Sequence, residues 1–156
     1  MTPQIRVATD MDLENLASLI TIFRDHLAQQ TPHKAAILAS LRKLLAEDDV
    51  EFLVADIGDG ITAAYTQTRY YYSLWSTGFE AQIEDVFVMP TERKKGIGAR
   101  LVQRVVSRAR ERGCCLITLN TNERNALALH LYTKAGFVAE RSRWKGGRQL
   151  WLELPL

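Results

Sequence analysis

The stretch from 81 to 121 sets the strongest limit on the fold. "AQIEDVFVM" (81–89) reads as a strand and "CCLITLNT" (114–121) as a second, buried-looking one. Between them Ile97, Leu101, Val102, Val105, Val106 and Ala109 place an apolar stripe at helical spacing, ending near Gly113. A strand, a long amphipathic helix and another strand form a crossover of the parallel kind, with the helix packed on one face of the sheet.

The rest of the chain supplies antiparallel neighbours. "IRVA" (5–8) reads as a short strand, and Thr9 with Asp12 reads as a capping box that opens a helix. Leu13, Leu16, Ala17, Ile20, Phe23 and Leu27 keep that helix's apolar face. Thr31 and Pro32 read as a second start, with proline at the first helical position, ahead of Ile37, Leu38, Leu41, Leu44 and Leu45. "EFLVADI" (51–57) and "ITAAYTQTRYYY" (61–72) flank the turn signal "GDG", and "SLWSTG" reads as a loop. After the crossover, a helix from about Asn125 ends at Gly136, a C-cap. "FVAE" and "QLWLEL", joined through "KGGR", read as a final antiparallel pair. The expected order is β-α-α-β-β-β-α-β-α-β-β. That is an α/β (α+β) fold with a mixed, mostly antiparallel central sheet and helices on both faces, in a single domain over 1–156.

Composition narrows the class of function. Charged residues at 24% and hydrophobic residues at 47% are ordinary globular usage. Twenty basic against eighteen acidic residues leave a net charge of +2, which gives no support to nonspecific nucleic-acid binding. Cys114 and Cys115, the only cysteines, are adjacent and supply neither a disulfide framework nor a thiolate metal site, so no metal is expected. "MTPQIRVATDMDLENL" lacks a signal-peptide pattern, and no apolar run approaches the roughly 20 residues of a membrane span. The expectation is a cytoplasmic protein with no membrane or nucleic-acid partner.

The loop before the crossover helix carries the first chemical signal. A strand ends at Val88-Met89-Pro90, and Gly96-Ile97-Gly98 opens the helix behind Arg93, Lys94 and Lys95. A helix N-terminus presents unpaired N–H groups and a positive dipole end, which suit a pyrophosphate. A plain solvated loop with turn glycines is the bland alternative. Gly98 is followed by Ala99-Arg100, which is not a P-loop, and Leu101 stands where a dinucleotide fingerprint wants a small residue. A second constellation, "NALALHLYTKAGF" (125–137), sets Asn125, Ala128 and Tyr132 near one helical face.

Together these stretches resemble the GNAT N-acetyltransferase superfamily. Its phosphate loop, Q/R-x-x-G-x-G/A, is matched by Arg93-Lys94-Lys95-Gly96-Ile97-Gly98. A later motif is met by Asn125, Ala128, Leu131, Tyr132, Gly136 and Phe137, and "IEDVFVMP" matches the cofactor-binding strand. The resemblance covers nearly the whole chain. It implies acetyl-CoA as cosubstrate, its pyrophosphate on the backbone N–H groups of Lys94 to Ala99. The pantetheine arm would pair with Val86, Phe87 and Val88, and Asn125 would touch that arm.

The same resemblance implies direct transfer to a primary amine of a small molecule, such as a polyamine or amino acid. Tyr132 would protonate the leaving thiolate. Glu84 is the candidate general base or an electrostatic contact for the amine: it lies two residues before Val86 and should share its face. Asp85 should point to the other face and ranks lower. Protein N-terminal or lysine acetylation, and a non-catalytic acyl-CoA-binding module, are the alternatives. Cys114 and Cys115 are expected as buried free thiols, and His26, His33 and His130 have no catalytic partner in view. Aromatics in "RYYYSLWST" (69–77) could meet a cationic acceptor, although alternate ones must face the core. The apolar residues of "QLWLEL" could pair across a homodimer.

Overall fold

The computed structural model describes residues 2–139 and 150–156. One sheet holds β1 (Gln4–Val7), β2 (Val50–Asp56), β3 (Thr62–Ser73), β4 (Gly78–Val88) and β5 (Cys114–Leu119), side by side in chain order. The first three pairings are antiparallel and β4 with β5 is parallel. The helices are α1 (Leu13–His26), α2 (Lys34–Leu45), α3 (Ile97–Glu111) and α4 (Ala126–Lys134).

Alternation along the strands divides the core in two. Val50, Phe52 and Val54 of β2 pack with Leu16, Leu19, Ile37 and Leu41 of α1 and α2. Leu53 and Ala55, pointing the other way, pack with Ile97, Leu101 and Val105 of α3. A central strand buried on both faces cannot alternate polar and apolar, which explains the near-continuous apolar run of "EFLVA". Helices therefore cover both faces, as the sequence pattern predicts. Among the described residues, no helix is long and apolar enough to cross a membrane.

Local signals hold at most boundaries. Thr9 and Asp12 form the capping box, around a short 3-10 turn that runs into α1. Asp12 also takes two hydrogen bonds from Arg6, at 2.7 and 2.8 Å, tying β1 to the start of α1. The "GDG" turn joins β2 to β3, with Gly58, Asp59 and Gly60 all at positive φ.

Three expectations need correction. Pro32 does not open the second helix: α2 starts at Lys34 behind an extended His33. The described parts of the two C-terminal stretches, 137–139 and 150–156, are not strand, and "KGGR" lies outside the described residues. β5 is only half-buried, with Cys114 part-buried and Cys115 exposed. A groove of about 1000 Å³ runs beside it, lined by β5, Val106 of α3 and Tyr132 of α4 among others.

Candidate active site

Two irregularities of β4 shape the site. The first is where its parallel pairing stops. β4 is bonded to β5 from Phe79↔Cys114 to Ile83↔Leu119, but it continues to Val88 while β5 has ended. The edge of β4 beyond Ile83 is thus open on the β5 side. Met89 donates to Ala63 of β3 at 2.9 Å, so by strand alternation Phe87 and Asp85 also aim their backbone groups at β3. Val86 and Val88 aim theirs at the open edge. Of the three residues assigned to a ligand arm, Val86 and the N–H of Val88 are available, the Val88 carbonyl accepts from Arg93, and Phe87 instead packs its ring on Phe23, 4.8 Å away.

The second irregularity is a β-bulge. Gln67 pairs with Asp85 and Thr68 with Ile83, so Glu84 has no partner of its own on β3. An extra residue changes the faces. Ile83, Val86 and Val88 pack on the α3 side, and Phe87 packs on the α1 side. Glu84 meets Gln67 and Arg69, and Asp85 meets Tyr65, all of which lie along one face of β3. Glu84 therefore does not share a face with Val86, and Asp85 is not opposed to Glu84. Both carboxylates stand together on the α1 side.

Their surroundings differ. Glu84 accepts from Arg69 Nε at 2.7 Å through Oε1 and from Gln67 Nε2 at 2.6 Å through Oε2. Asp85 Oδ2 accepts from the Tyr65 hydroxyl at 3.0 Å. Burial pushes the Asp85 carboxyl above the usual range; the Tyr65 hydrogen bond opposes this and the Glu84 charge adds to it. Tyr132, half-buried on α4, has its hydroxyl pKa raised by burial and then by the charge of Asp85. Asp85 and Tyr132 thus feel one another across the gap where β4 and β5 part.

The loop that follows supplies an anion cradle. Gly96 caps α3 at φ 80°, a left-handed conformation that a side chain would strain, and Lys94 is left-handed at φ 62°. The first N–H groups of α3, on Ile97, Gly98 and Ala99, have no intrahelical acceptor. Gly98 stands beneath Leu131 of α4 and Val88 of β4: a Cβ there would meet them in ordinary van der Waals contact, at 3.4 and 3.7 Å, so a residue as small as alanine also fits. Of the three cations, Arg93 turns inward, donating to the Val88 carbonyl at 3.0 Å and lying 5.6 Å from the Phe87 ring centre. Lys95 pairs with Glu92 at 2.9 Å. Lys94 is exposed and has no ion pair among the described residues. Ile97 buries its side chain against the sheet, so only its backbone faces the cradle.

Other assignments fall away from this centre. Asn125 caps α4 through a hydrogen bond from the Ala128 N–H at 3.2 Å, which occupies its side-chain oxygen. The aromatic segment lies at the β3–β4 turn. Tyr70 is buried under Arg112, 4.0 Å from its ring, and Tyr72 packs edge-on against Phe79. From Ala81, the partner of Tyr70, to Val86 is about 16 Å along the strand. Tyr70 and Tyr72 are therefore remote from the open edge, whereas Tyr71 lines the same groove as Tyr132.

Comparison with known proteins agrees with this geometry. A family model described as the acetyltransferase (GNAT) family matches residues 16–137, from within α1 to just past α4. An IAA acetyltransferase of Azospirillum brasilense is 30% identical over 142 residues, covering 87% of this chain and 86% of that protein. A thialysine N-epsilon-acetyltransferase of Mus musculus is 33% identical over 76 residues, 49% of this chain and 44% of that one. Among solved structures, an aminoglycoside N-acetyltransferase in complex with CoA superposes with a TM-score of 0.77 at 21% identity, covering 94% of each chain. With the model matched across both the open-edged strand and the cradle, the chain belongs to the GNAT family and is an acetyltransferase.

Proposed function

We propose that the protein transfers an acetyl group from acetyl-CoA to a primary amine of a small molecule, in a ternary complex and without a covalent enzyme intermediate. The observation that carries this reading is the open edge of β4 running directly into the cradle at Gly96. The residues present fit the cosubstrate. Val86 and the N–H of Val88 offer strand-like hydrogen-bonding groups for an amide-bearing arm. The N–H groups of Ile97, Gly98 and Ala99, with Lys94 beside them, suit a pyrophosphate. Bound there, acetyl-CoA supplies a thioester carbon and a thiolate leaving group.

The remaining steps belong to the chain. Tyr132, like any tyrosine, is protonated at neutral pH, and burial keeps it so; its hydroxyl can therefore donate to the departing sulfur. Asp85, with no cation bonded to it among the described residues, contributes negative charge that attracts an ammonium, beside Glu84, which Arg69 and Gln67 hold in place. The acidic pair on the α1 side, together with the thialysine relative, favours a cationic small molecule as acceptor. Incubation with acetyl-CoA and a panel of polyamines, amino acids and aminoglycosides, followed by thiol release, tests the reading. Turnover on at least one small amine is expected; CoA binding without transfer to any amine contradicts it.

A further inference from the structure

Resting on the transferase reading, we propose that Asp85, and not Glu84, takes the proton from the acceptor ammonium. The bulge makes the assignment geometrically available, since it brings both carboxylates to one face beside the parting of β4 and β5. Glu84 is poorly suited to the role. Each of its oxygens already accepts a hydrogen bond, and the Arg69 guanidinium balances its charge.

Asp85 differs on each count. Its one protein hydrogen bond among the described residues comes from the neutral Tyr65 hydroxyl, to Oδ2. Oδ1 has no donor among the described residues. The groups around it are Tyr65 from β3, Glu84 beside it on β4 with Arg69 behind, and Tyr132 from α4. From α1, His26 stands 6.5 Å from the neighbouring Phe87 ring, which Arg93 also approaches. Burial raises the Asp85 carboxyl above its ordinary value, which makes it a stronger proton acceptor than a free aspartate.

The step balances without any further reagent. One N–H bond of the ammonium breaks, its electron pair stays on nitrogen, and the proton joins Asp85 Oδ1. Nitrogen bonds to the acetyl carbon, and the carbon–sulfur bond breaks with its pair on sulfur. Tyr132 gives its proton to that sulfur, and the second nitrogen proton replaces it. Asp85 then releases its proton to water.

The test is the pH dependence of kcat/KM for four proteins with one active amine. The unsubstituted enzyme should lose activity as pH falls through the Asp85 value. Asp85→Asn should lower kcat/KM about 100-fold at pH 8 and abolish that acidic limb, with CoA affinity by thermal shift unchanged. Glu84→Gln should raise KM for the amine and keep the limb. Tyr65→Phe removes the hydrogen bond that favours ionised Asp85, so its limb should move to higher pH, a readout that needs no loss of folding. Full activity in Asp85→Asn, or a limb removed by Glu84→Gln instead, overturns the assignment alone. No turnover by the unsubstituted enzyme on any amine overturns the transferase reading beneath it.

Discussion

On the α3 side of the sheet, Glu51 of β2 is 5% exposed and surrounded by donors. Arg108 reaches it at 2.6 Å, Arg112 at 3.5 Å and the Tyr70 hydroxyl at 3.2 Å. On the α1 side, Asp85 of β4 sits beside a tyrosine too, but among the described residues no arginine bonds to it. A buried charge that is fully paired holds two elements in register, here β2 and α3. A buried charge left with one neutral partner costs stability, and such costs persist where chemistry uses them. Both carboxylates accept from a tyrosine hydroxyl, but Glu51 is buried and Asp85 part-buried, and they differ in whether a cation answers them among the described residues.

That contrast can be broken from either end. Removing the nearer cation from the paired site should have the largest effect: Arg108→Met leaves Glu51 buried with only the longer Arg112 contact and the Tyr70 hydroxyl. It should lower stability by about 3 kcal/mol, read by denaturant melts, with kcat for the surviving folded fraction unchanged. Equal loss of kcat would show that the α3 cluster also serves the site. Tyr132→Phe strikes the other region. It should lower kcat roughly 100-fold, about 2.7 kcat-derived kcal/mol in the barrier, with Tm nearly unchanged. Parallel losses of kcat and CoA affinity would make Tyr132 a packing residue.

The smallest effect sharpens the comparison most. The folded state holds the Asp85 carboxyl above its unfolded value, so folding disfavours its ionised form. That penalty is absent below the unfolded pKa of about 3.9 and complete above the folded one. Asp85→Asn carries no such penalty. Its Tm should exceed that of the unsubstituted protein at pH 8, and the difference should shrink as pH falls toward 4. A Tm difference of opposite sign would mean that Asp85 is compensated as fully as Glu51.

The cradle was legible in the sequence because its requirements are local. Gly96 must adopt a positive φ to open α3, and that need is written in one residue. The crossover was legible for a similar reason: the stripe from Ile97 to Ala109 has one face to bury. The bulge escaped a period-two reading. With strict alternation, Glu84 goes with Val86 and against Asp85; a single extra residue reverses both relations. A signal was present, because the apolar series Ala81, Ile83 jumps three positions to Val86 across two adjacent acids. Gly98 shows the same limit in another form. Its motif suggests approach to a ligand, while its contact with Leu131 depends on how α4 packs, which no local pattern states. The relation of Glu51 to Arg108 spans 57 positions and is likewise beyond local reading.

The account's central claim is that the edge of β4 left open beyond Ile83 receives the cosubstrate arm as a strand would. Amide hydrogen exchange, residue by residue, with and without acetyl-CoA tests it most directly. Val86 and Val88 should gain protection, together with Gly98 and Ala99 at the start of α3, while Phe87, already turned toward β3, should change little. Unchanged exchange at Val86 and Val88 under saturating acetyl-CoA would contradict the claim.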